Sequence, residues 1–304
     1  MKLDHIVACI DFAPASESAL IEAERIAVRE SAELTALHVI DLNVVEQARI
    51  AIPNFAEGDA IERAKVHLDE WIERTAKSEM TVETEIVQGH PLEEIVKAIG
   101  DHKADLLVMG SKGVSHRKEV TGFTAAKCVR KAPTKVLLVR EGHAGPFEKI
   151  VACVDFSETS DRAIEHALHM AKEDGAALEL LHVVSPLQGL VGMEYLFPRV
   201  ARGEAATHVK PDVEAEVRKR LDRFASEARG VEIKTTIVEN SSIGNGVIRQ
   251  LNDSNADLVV LGTRGRTGMK QLLLGTVAEK VVHDSPCSVF AIKPHGFSYH
   301  HITA

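Results

Sequence analysis

The sequence predicts two tandem, doubly wound α/β sandwich domains, each built on a parallel five-stranded sheet. Three observations lead there. The chain has 304 residues, about twice the ~150 residues of one ordinary domain. It also repeats itself. Ile6-Val7-Ala8-Cys9-Ile10-Asp11-Phe12 returns as Ile150-Val151-Ala152-Cys153-Val154-Asp155-Phe156, with six of seven positions identical at an offset of 144. Leu37-His38-Val39 returns as Leu181-His182-Val183 at the same offset, and Ala104–Gly110 returns as Ala256–Gly262 at an offset of 152. Thirdly, each copy alternates short Val/Ile/Leu runs with amphipathic stretches, the pattern of a parallel sheet buried on both faces by right-handed crossover helices.

The elements follow in order. In the first copy the strand-like runs are Ile6–Ile10, Leu34–Val39, Val82–Val87, Leu106–Met109 and Val136–Val139. In the second they are Ile150–Val154, Leu178–Val184, Ile233–Val238, Leu258–Leu261 and Ser288–Ile292. Leu20, Ala23, Ile26 and Ala27 share one face of a helix over Glu17–Arg29, with Ser16 as its expected N-cap, and Pro91 suits the first turn of another helix. Glu141-Gly142-His143-Ala144-Gly145-Pro146 reads as the linker, which gives domains of 1–144 and 145–304.

Composition narrows the function. Net charge is −9, with 18 basic and 24 acidic residues up to Ala144 and 18 and 21 beyond it. Neither half has the basic excess of a nucleic-acid binder, and 12 aromatics (nine Phe, two Tyr, one Trp) are too few for base-stacking platforms. Nucleic acid is excluded as the expected partner. No run approaches the ~18 apolar residues of a membrane span, and Asp4 interrupts what a signal peptide would make apolar. Four cysteines make no disulfide framework, so the expected setting is a reducing cytoplasm.

Ligands of open α/β sheets bind beyond the carboxyl ends of the strands, where the strand order reverses. After strand four of the second copy the chain reads Gly262-Thr263-Arg264-Gly265-Arg266-Thr267-Gly268-Met269-Lys270, then Leu274-Gly275-Thr276-Val277 opening a helix. Glycines admit an anion to the backbone, and a helix start offers free N–H groups and partial positive charge. Arg264, Arg266 and Lys270 add charge at the rim. The pattern is neither a Walker loop nor the dinucleotide fingerprint, whose place after strand one is held by Asp155-Phe156-Ser157.

On these residues the sequence resembles a tandem universal stress protein, two family domains covering essentially the whole chain. The family motif Gly-x2-Gly-x9-Gly-Ser/Thr is matched by Gly262, Gly265, Gly275 and Thr276, alongside Asp155 and Leu181-His182-Val183. The resemblance implies a Rossmann-like fold of the adenine nucleotide alpha hydrolase type and an ATP-binding second domain, with Mg2+ as an optional companion. Asp155 and the Val183 main chain would hold the adenosine. Gly262, Gly265, Gly275, Thr276 and Val277 would hold the phosphates, with Leu261 completing the set. The first domain departs from the motif: Gly110-Ser111-Lys112-Gly113 begins it, but Gly122 follows after eight residues and Phe123 stands where Ser/Thr is expected. Phe123 brings no hydroxyl, its ring is a candidate plug for the pocket, and Thr124 would serve only by a slip of about 100° around the helix. This domain therefore reads as a degenerate site, though Asp11 and Val39 remain. In the second domain Glu239-Asn240-Ser241-Ser242-Ile243-Gly244 replaces Gln88-Gly89-His90-Pro91, displacing a glycine at the site's edge.

The remaining polar residues read as structural. Cys9, Cys153, Cys128 and Cys287 are expected in the core, and His38 and His182 as hydrogen-bonded residues ending buried strands. His116-Arg117-Lys118 reads as a solvated face, and the His295–His301 tail has no companion ligand at zinc spacing, so no metal site is expected. Long segments, Asp41–Asp59 and the apolar Ser185–Pro211, leave the ligand edge. No catalytic constellation is visible, which limits enzyme activity to slow ATP hydrolysis and disfavours a nucleotidyl transferase. The expected protein is an ATP-binding stress-response regulator. The alternative is a non-catalytic scaffold whose domains bind partners or another small ligand without ATP. The resemblance also implies that the two domains pair as an internal pseudo-dimer through Val136–Val139 and Val289–Ile292, a form compatible with a homodimer of the whole chain.

Overall fold

The computed structural model describes residues 2–53, 56–111, 121–185, 211–227, 230–265 and 274–297. The expectations placed on His116-Arg117-Lys118, on Arg266 and Lys270, on 186–210 and on the tail beyond Phe297 lie outside the described residues. The chain forms two compact units, Met1–Gly145 with Ser288–Ala304, and Pro146–Cys287.

The first unit carries β1 (His5–Cys9), α1 (Pro14–Glu30), β2 (Glu33–Asp41), α2 (Leu42–Ala51), α3 (Glu57–Thr75), β3 (Glu83–Gly89), α4 (Pro91–Asp101), β4 (Leu106–Gly110), α5 (Phe123–Lys131) and β5 (Lys135–Val139). Its strands lie in the order β3-β2-β1-β4-β5. β1 pairs in parallel with β2 (Ile6 opposite Leu34) and with β4 (Ile6 opposite Leu106). The order reverses between β1 and β4, which makes the sheet doubly wound. Ile6, Val7 and Ala8 are all wholly buried. Successive strand residues face opposite sides, so both faces of β1 are covered, as its unbroken apolar run requires. The unit is completed by β10 (Ser288–Ile292), which runs antiparallel to β5 with Phe290 opposite Leu137.

The second unit holds β6 (Lys149–Cys153), α6 (Glu158–Asp174), β7 (Ala177–Val184), α7 (Pro211–Glu227), β8 (Ile233–Glu239), α8 (Ile243–Ser254), β9 (Leu258–Gly262) and α9 (Thr276–Asp284). Its order is β9-β6-β7-β8, again with a reversal at the first strand. Ile150 stands opposite Leu178 on one side and Leu258 on the other, in parallel register. The doubly wound α/β class and all ten strands read from the sequence are therefore present. In the first unit the sheet is mixed, because β10 runs antiparallel to β5.

Helix ends show where local chemistry decides. α6 starts at Ser157, whose hydroxyl accepts from the Ser160 N–H, and stops at Gly175, left-handed at φ 70°. Ser16 is not the cap of α1. That helix starts three residues earlier, with Ala13 at the cap and Pro14 at the first turn. Proline's fixed φ favours this earlier start, and the Ser16 hydroxyl turns instead to the Asp11 carboxylate.

Candidate functional site

The carboxyl ends of β6, β7 and β9 and the start of α9 gather the residues singled out in the second copy. Asp155 follows β6 in a tight turn. Its Oδ1 accepts from the Ser157 N–H at 3.0 Å and from the Ser157 hydroxyl at 2.6 Å. The turn is held from below. Phe156 has a left-handed φ of 62°, unusual for a bulky residue. Its ring lies 4.9 Å from His182, whose Nδ1 donates to the Val154 carbonyl at 2.6 Å. The Arg220 guanidinium also lies over the Phe156 ring, 3.9 Å from its centre. His182 is thus the structural residue the sequence suggested, but it orients the loop that carries Asp155.

Gly262 and Gly265 bring strand four to this turn. A Cβ on Gly262 would lie 2.9 Å from Thr159 Cγ2 and 3.2 Å from the Thr159 carbonyl carbon, so the end of β9 packs on the first turn of α6. A Cβ on Gly265 would lie 2.6 Å from Asp155 Oδ2. The N–H of Gly275 donates to the Thr263 carbonyl at 2.9 Å, which draws the start of α9 back to the end of β9. Gly275 is the N-cap of α9 and supplies no side-chain cap, so the first-turn N–H groups keep their capacity for an anion. Thr276 is exposed and Val277 half-buried in that turn. Leu261 and Val183 are buried, at 3% and 6% exposure.

Sequence reasoning missed three contributors. Ser157 fixes the Asp155 carboxylate. Thr159 is the seat for Gly262. Gly246 resolves the displaced glycine: a Cβ there would lie 2.7 Å from Val183 Cγ1 and 3.0 Å from Asn240 Cβ. The approach of α8 to the Val183 side chain needs a residue without Cβ, and the second copy provides it at 246. The signal was present in Gly244-Asn245-Gly246, two glycines where the first copy has one.

The matching place in the first unit is an open cleft of about 150 Å³. Its walls include Leu37, Val39, Ile95 and Met109, and its polar atoms come from Asp11, Ser16 and Thr124. Phe123 does not plug it. That ring is 74% exposed, with the Lys127 ammonium 3.9 Å from its centre, and Thr124 on the next position of α5 faces the cleft instead. The loop closure matches the second unit, Gly122 N–H donating to the Ser111 carbonyl at 2.8 Å. Gly110 packs on Ala15, and a Cβ added at 110 would lie 2.8 Å from the Ala15 methyl.

The four cysteines are free. Burial pushes the Cys153 and Cys128 thiols up to about 12 and raises that of Cys9 well above its ordinary value. Cys9 and Cys128 lie in the core and Cys153 is half-buried, and thiols raised this far hold little of the reactive thiolate. Among the described residues no group of three His, Cys, Asp or Glu side chains could hold a metal ion, and no helix is long and apolar enough to cross a membrane.

Comparison with known proteins agrees with this architecture. A model of the universal stress protein family matches residues 2–140 and again 146–293. Universal stress protein MJ0531 of Methanocaldococcus jannaschii is 33% identical over 158 residues, 51% of this chain and 87% of that protein. A universal stress protein E homolog from Haemophilus influenzae is 23% identical over 97% of this chain and 98% of its own length. In fold, the crystal structure of a universal stress protein from Archaeoglobus fulgidus aligns with a TM-score of 0.68 at 21% identity, covering 95% of this chain and 98% of that one. With two matches that together span nearly its whole length, the chain belongs to the universal stress protein family and carries that family's domain twice.

Proposed function

We propose that the second unit binds ATP and that the protein works as a nucleotide-responsive stress regulator, not as a fast enzyme. The observation that carries this reading is the convergence of Asp155 and Gly265, 2.6 Å from Oδ2 to a Cβ position, beside an α9 start without a side-chain cap. A carboxylate acceptor and a buried valine at one end suit an amino-bearing base and a ribose. Glycine backbone and helix-start N–H groups at the other suit phosphates. In this reading Asp155 and Val183 hold the adenosine, Gly262, Gly265, Gly275, Thr276 and Val277 hold the phosphates, and Leu261 completes the site. Mg2+ would enter with the phosphates and offset their charge. Asp155 is the only carboxylate of the set, which restricts hydrolysis to a slow reaction of a positioned water.

The test is calorimetric titration of ATP, with and without Mg2+, into the full-length chain freed of nucleotide, and into Gly275→Val. A Cβ at 275 meets nothing closer than the Thr263 carbonyl oxygen at 3.6 Å, so valine is tolerated by the fold while its methyls crowd the helix start. One ATP site per chain, lost in Gly275→Val, is the expected result. Absence of binding at millimolar ATP overturns the reading and favours a scaffold.

Two further proposals accompany it. The two family domains act as an internal pseudo-dimer, a reading supported by the antiparallel pairing of β10 with β5; sedimentation of the whole chain as a monomer or a dimer decides whether a homodimer forms as well. The cytoplasm is the proposed location, since free thiols persist in a reducing compartment, and cell fractionation tests it.

A further inference from the structure

The loop that presents Asp155 turns on Phe156, and the two copies of the domain brace that turn with different chemistry. We infer that Arg220, which faces the turn from α7, is a positioning residue of the nucleotide site: its charge holds the Phe156 turn in place and offsets the carboxylates around Asp155. The inference rests on the proposed binding of ATP by the second unit and adds a residue that tunes it.

The slot is the same in both copies. Phe12 and Phe156 share a left-handed φ of 62°. Each ring has a histidine of its unit's second strand beside it, His38 at 4.6 Å and His182 at 4.9 Å. The helices that follow align through a shared hydrogen bond. The Thr84 hydroxyl donates to the Asp69 carboxylate in the first copy, and the Thr235 hydroxyl donates to that of Asp222 in the second. Asp69 and Asp222 are 153 positions apart, and the same offset carries His67 to Arg220. His67 lies 4.7 Å from the Phe12 ring, where Arg220 lies 3.9 Å from the Phe156 ring. The copies therefore keep the geometry of the slot and exchange its side chain.

The second copy has a reason for a guanidinium. At an offset of 144, Glu158 and Asp161 stand where the first copy has Pro14 and Glu17. Both lie in the first turn of α6, three residues or fewer from the end of the Asp155 turn. The charges here act on one another: burial raises the Asp161 carboxyl, Arg220 opposes the rise, and Asp155 and Glu158 add to it. Left unopposed, these carboxylates repel the phosphates of ATP. A guanidinium keeps its charge at every accessible pH and is drawn to an aromatic face. An imidazole in the same slot does this work only when protonated.

The test is ATP affinity by calorimetry for full-length Arg220→Gln, Arg220→Lys and Arg220→His between pH 8.0 and 5.5, each set against the parent protein at the same pH. Arg220→Gln removes the charge and should bind ATP about fivefold more weakly at every pH, the size of an exposed cation–π contact. Arg220→Lys should stay within about twofold of the parent. Arg220→His should match Arg220→Gln at pH 8.0 and recover toward Arg220→Lys at pH 5.5, below the ordinary histidine value of about 6.5. Amide exchange supplies a readout that needs no nucleotide. The Ser157 N–H donates to Asp155 Oδ1 at 3.0 Å, so its exchange should be about fivefold faster in Arg220→Gln and unchanged in Arg220→Lys. ATP affinity and Ser157 exchange both equal to the parent's in Arg220→Gln would overturn the inference, as would an Arg220→His profile parallel to the parent's. If the parent itself binds no ATP, the proposed function fails, and Ser157 exchange alone decides whether Arg220 holds the turn.

Discussion

Gly265 stands against the Asp155 carboxylate so closely that a methyl group at 265 would come within 2.6 Å of Oδ2. This one approach joins the turn after β6 to the turn after β9. The obstructing atom is the end of a movable side chain, so Gly265→Ala is expected to fold and to push the carboxylate aside. Nucleotide affinity should fall about tenfold, the equivalent of about 1.4 kcal/mol, with little change in thermal midpoint. Calorimetry on Gly265→Ala, Asp155→Ala and the double variant checks the cause. If displacement of Asp155 is the mechanism, the two losses do not add.

Gly246 gives the opposite case. Here the added Cβ would meet Val183 Cγ1 at 2.7 Å and Asn240 Cβ at 3.0 Å, atoms close to their own backbones with little room to turn. Gly246→Ala should therefore cost about 1–3 kcal/mol of stability by overpacking, read as a lower urea midpoint with unchanged slope. An equal stability for the two proteins would show that α8 and β7 separate easily, and would remove Gly246 from the description of the site.

The fold is legible in the sequence because periodicity and repetition are properties of long stretches. Val7 and Ala8 are both wholly buried, and an unbroken apolar run announces a two-sided strand without any knowledge of its neighbours. The glycine spacing of the second copy is legible for a related reason, since Gly262 packs on the first turn of α6, Gly265 stands against the Asp155 carboxylate, and the Gly275 N–H closes on the Thr263 carbonyl. What sequence does not carry is which way a side chain turns at a helix start. Phe123 and Thr124 are adjacent, and only the pitch of α5 decides that Thr124 faces the cleft while Phe123 faces solvent. Ser16 misleads for the same local reason: Pro14 starts the helix earlier and frees the hydroxyl for Asp11. Gly246 is hidden by a shift in spacing between the copies.

Thiol chemistry provides a third prediction. Burial holds Cys128 and Cys153 at about 12, leaving almost no thiolate at pH 8, and thiolate is the reactive form. Cys9, Cys128 and Cys287 are buried and Cys153 is half-buried. The native protein should react with a disulfide reagent at pH 8 far more slowly than a free thiol, and all four cysteines should titrate at once in denaturant. Rapid labelling of the native chain would mean that a strand edge opens.

Asp161, in the first turn of α6, tests the charge balance beside Asp155. Burial raises its carboxyl above the ordinary 3.8, Asp155 and Glu158 add to the rise, and Arg220 opposes it. A carboxyl with a raised native value favours the folded state only below its unfolded value, and that contribution is lost as pH rises through the folded one. Ionised Asp161 is therefore a small liability at neutral pH, moderated by solvent. Asp161→Asn should raise the thermal midpoint slightly at pH 7, with the difference closing as pH falls toward 3.8. Arg220→Ala should move the Asp161 titration further upward by carboxyl NMR; an unmoved titration would show that the guanidinium serves Phe156 alone.

His38 gives the corresponding test in the first unit, with the sign reversed. Its Nδ1 donates to the Ile10 carbonyl at 2.8 Å, and its ring lies 4.6 Å from Phe12. Burial lowers its titration below 6.5 and His67 adds to the fall, while the Ile10 carbonyl and Asp11 oppose it. Between that lowered value and 6.5 the unfolded chain holds more protons than the folded one, so stability rises with pH across this window. Acidification from pH 7 through 6.5 is expected to destabilise the first unit until His38 itself protonates. The imidazolium would then press on Phe12 and on the turn that carries Asp11. His38→Asn offers an amide donor to the Ile10 carbonyl but does not titrate, so its urea midpoint should change less between pH 7.0 and 5.5 than that of the parent protein. Equal pH slopes in the two proteins would mean that His38 keeps its solution titration, and that the turn bearing Asp11 is insensitive to it.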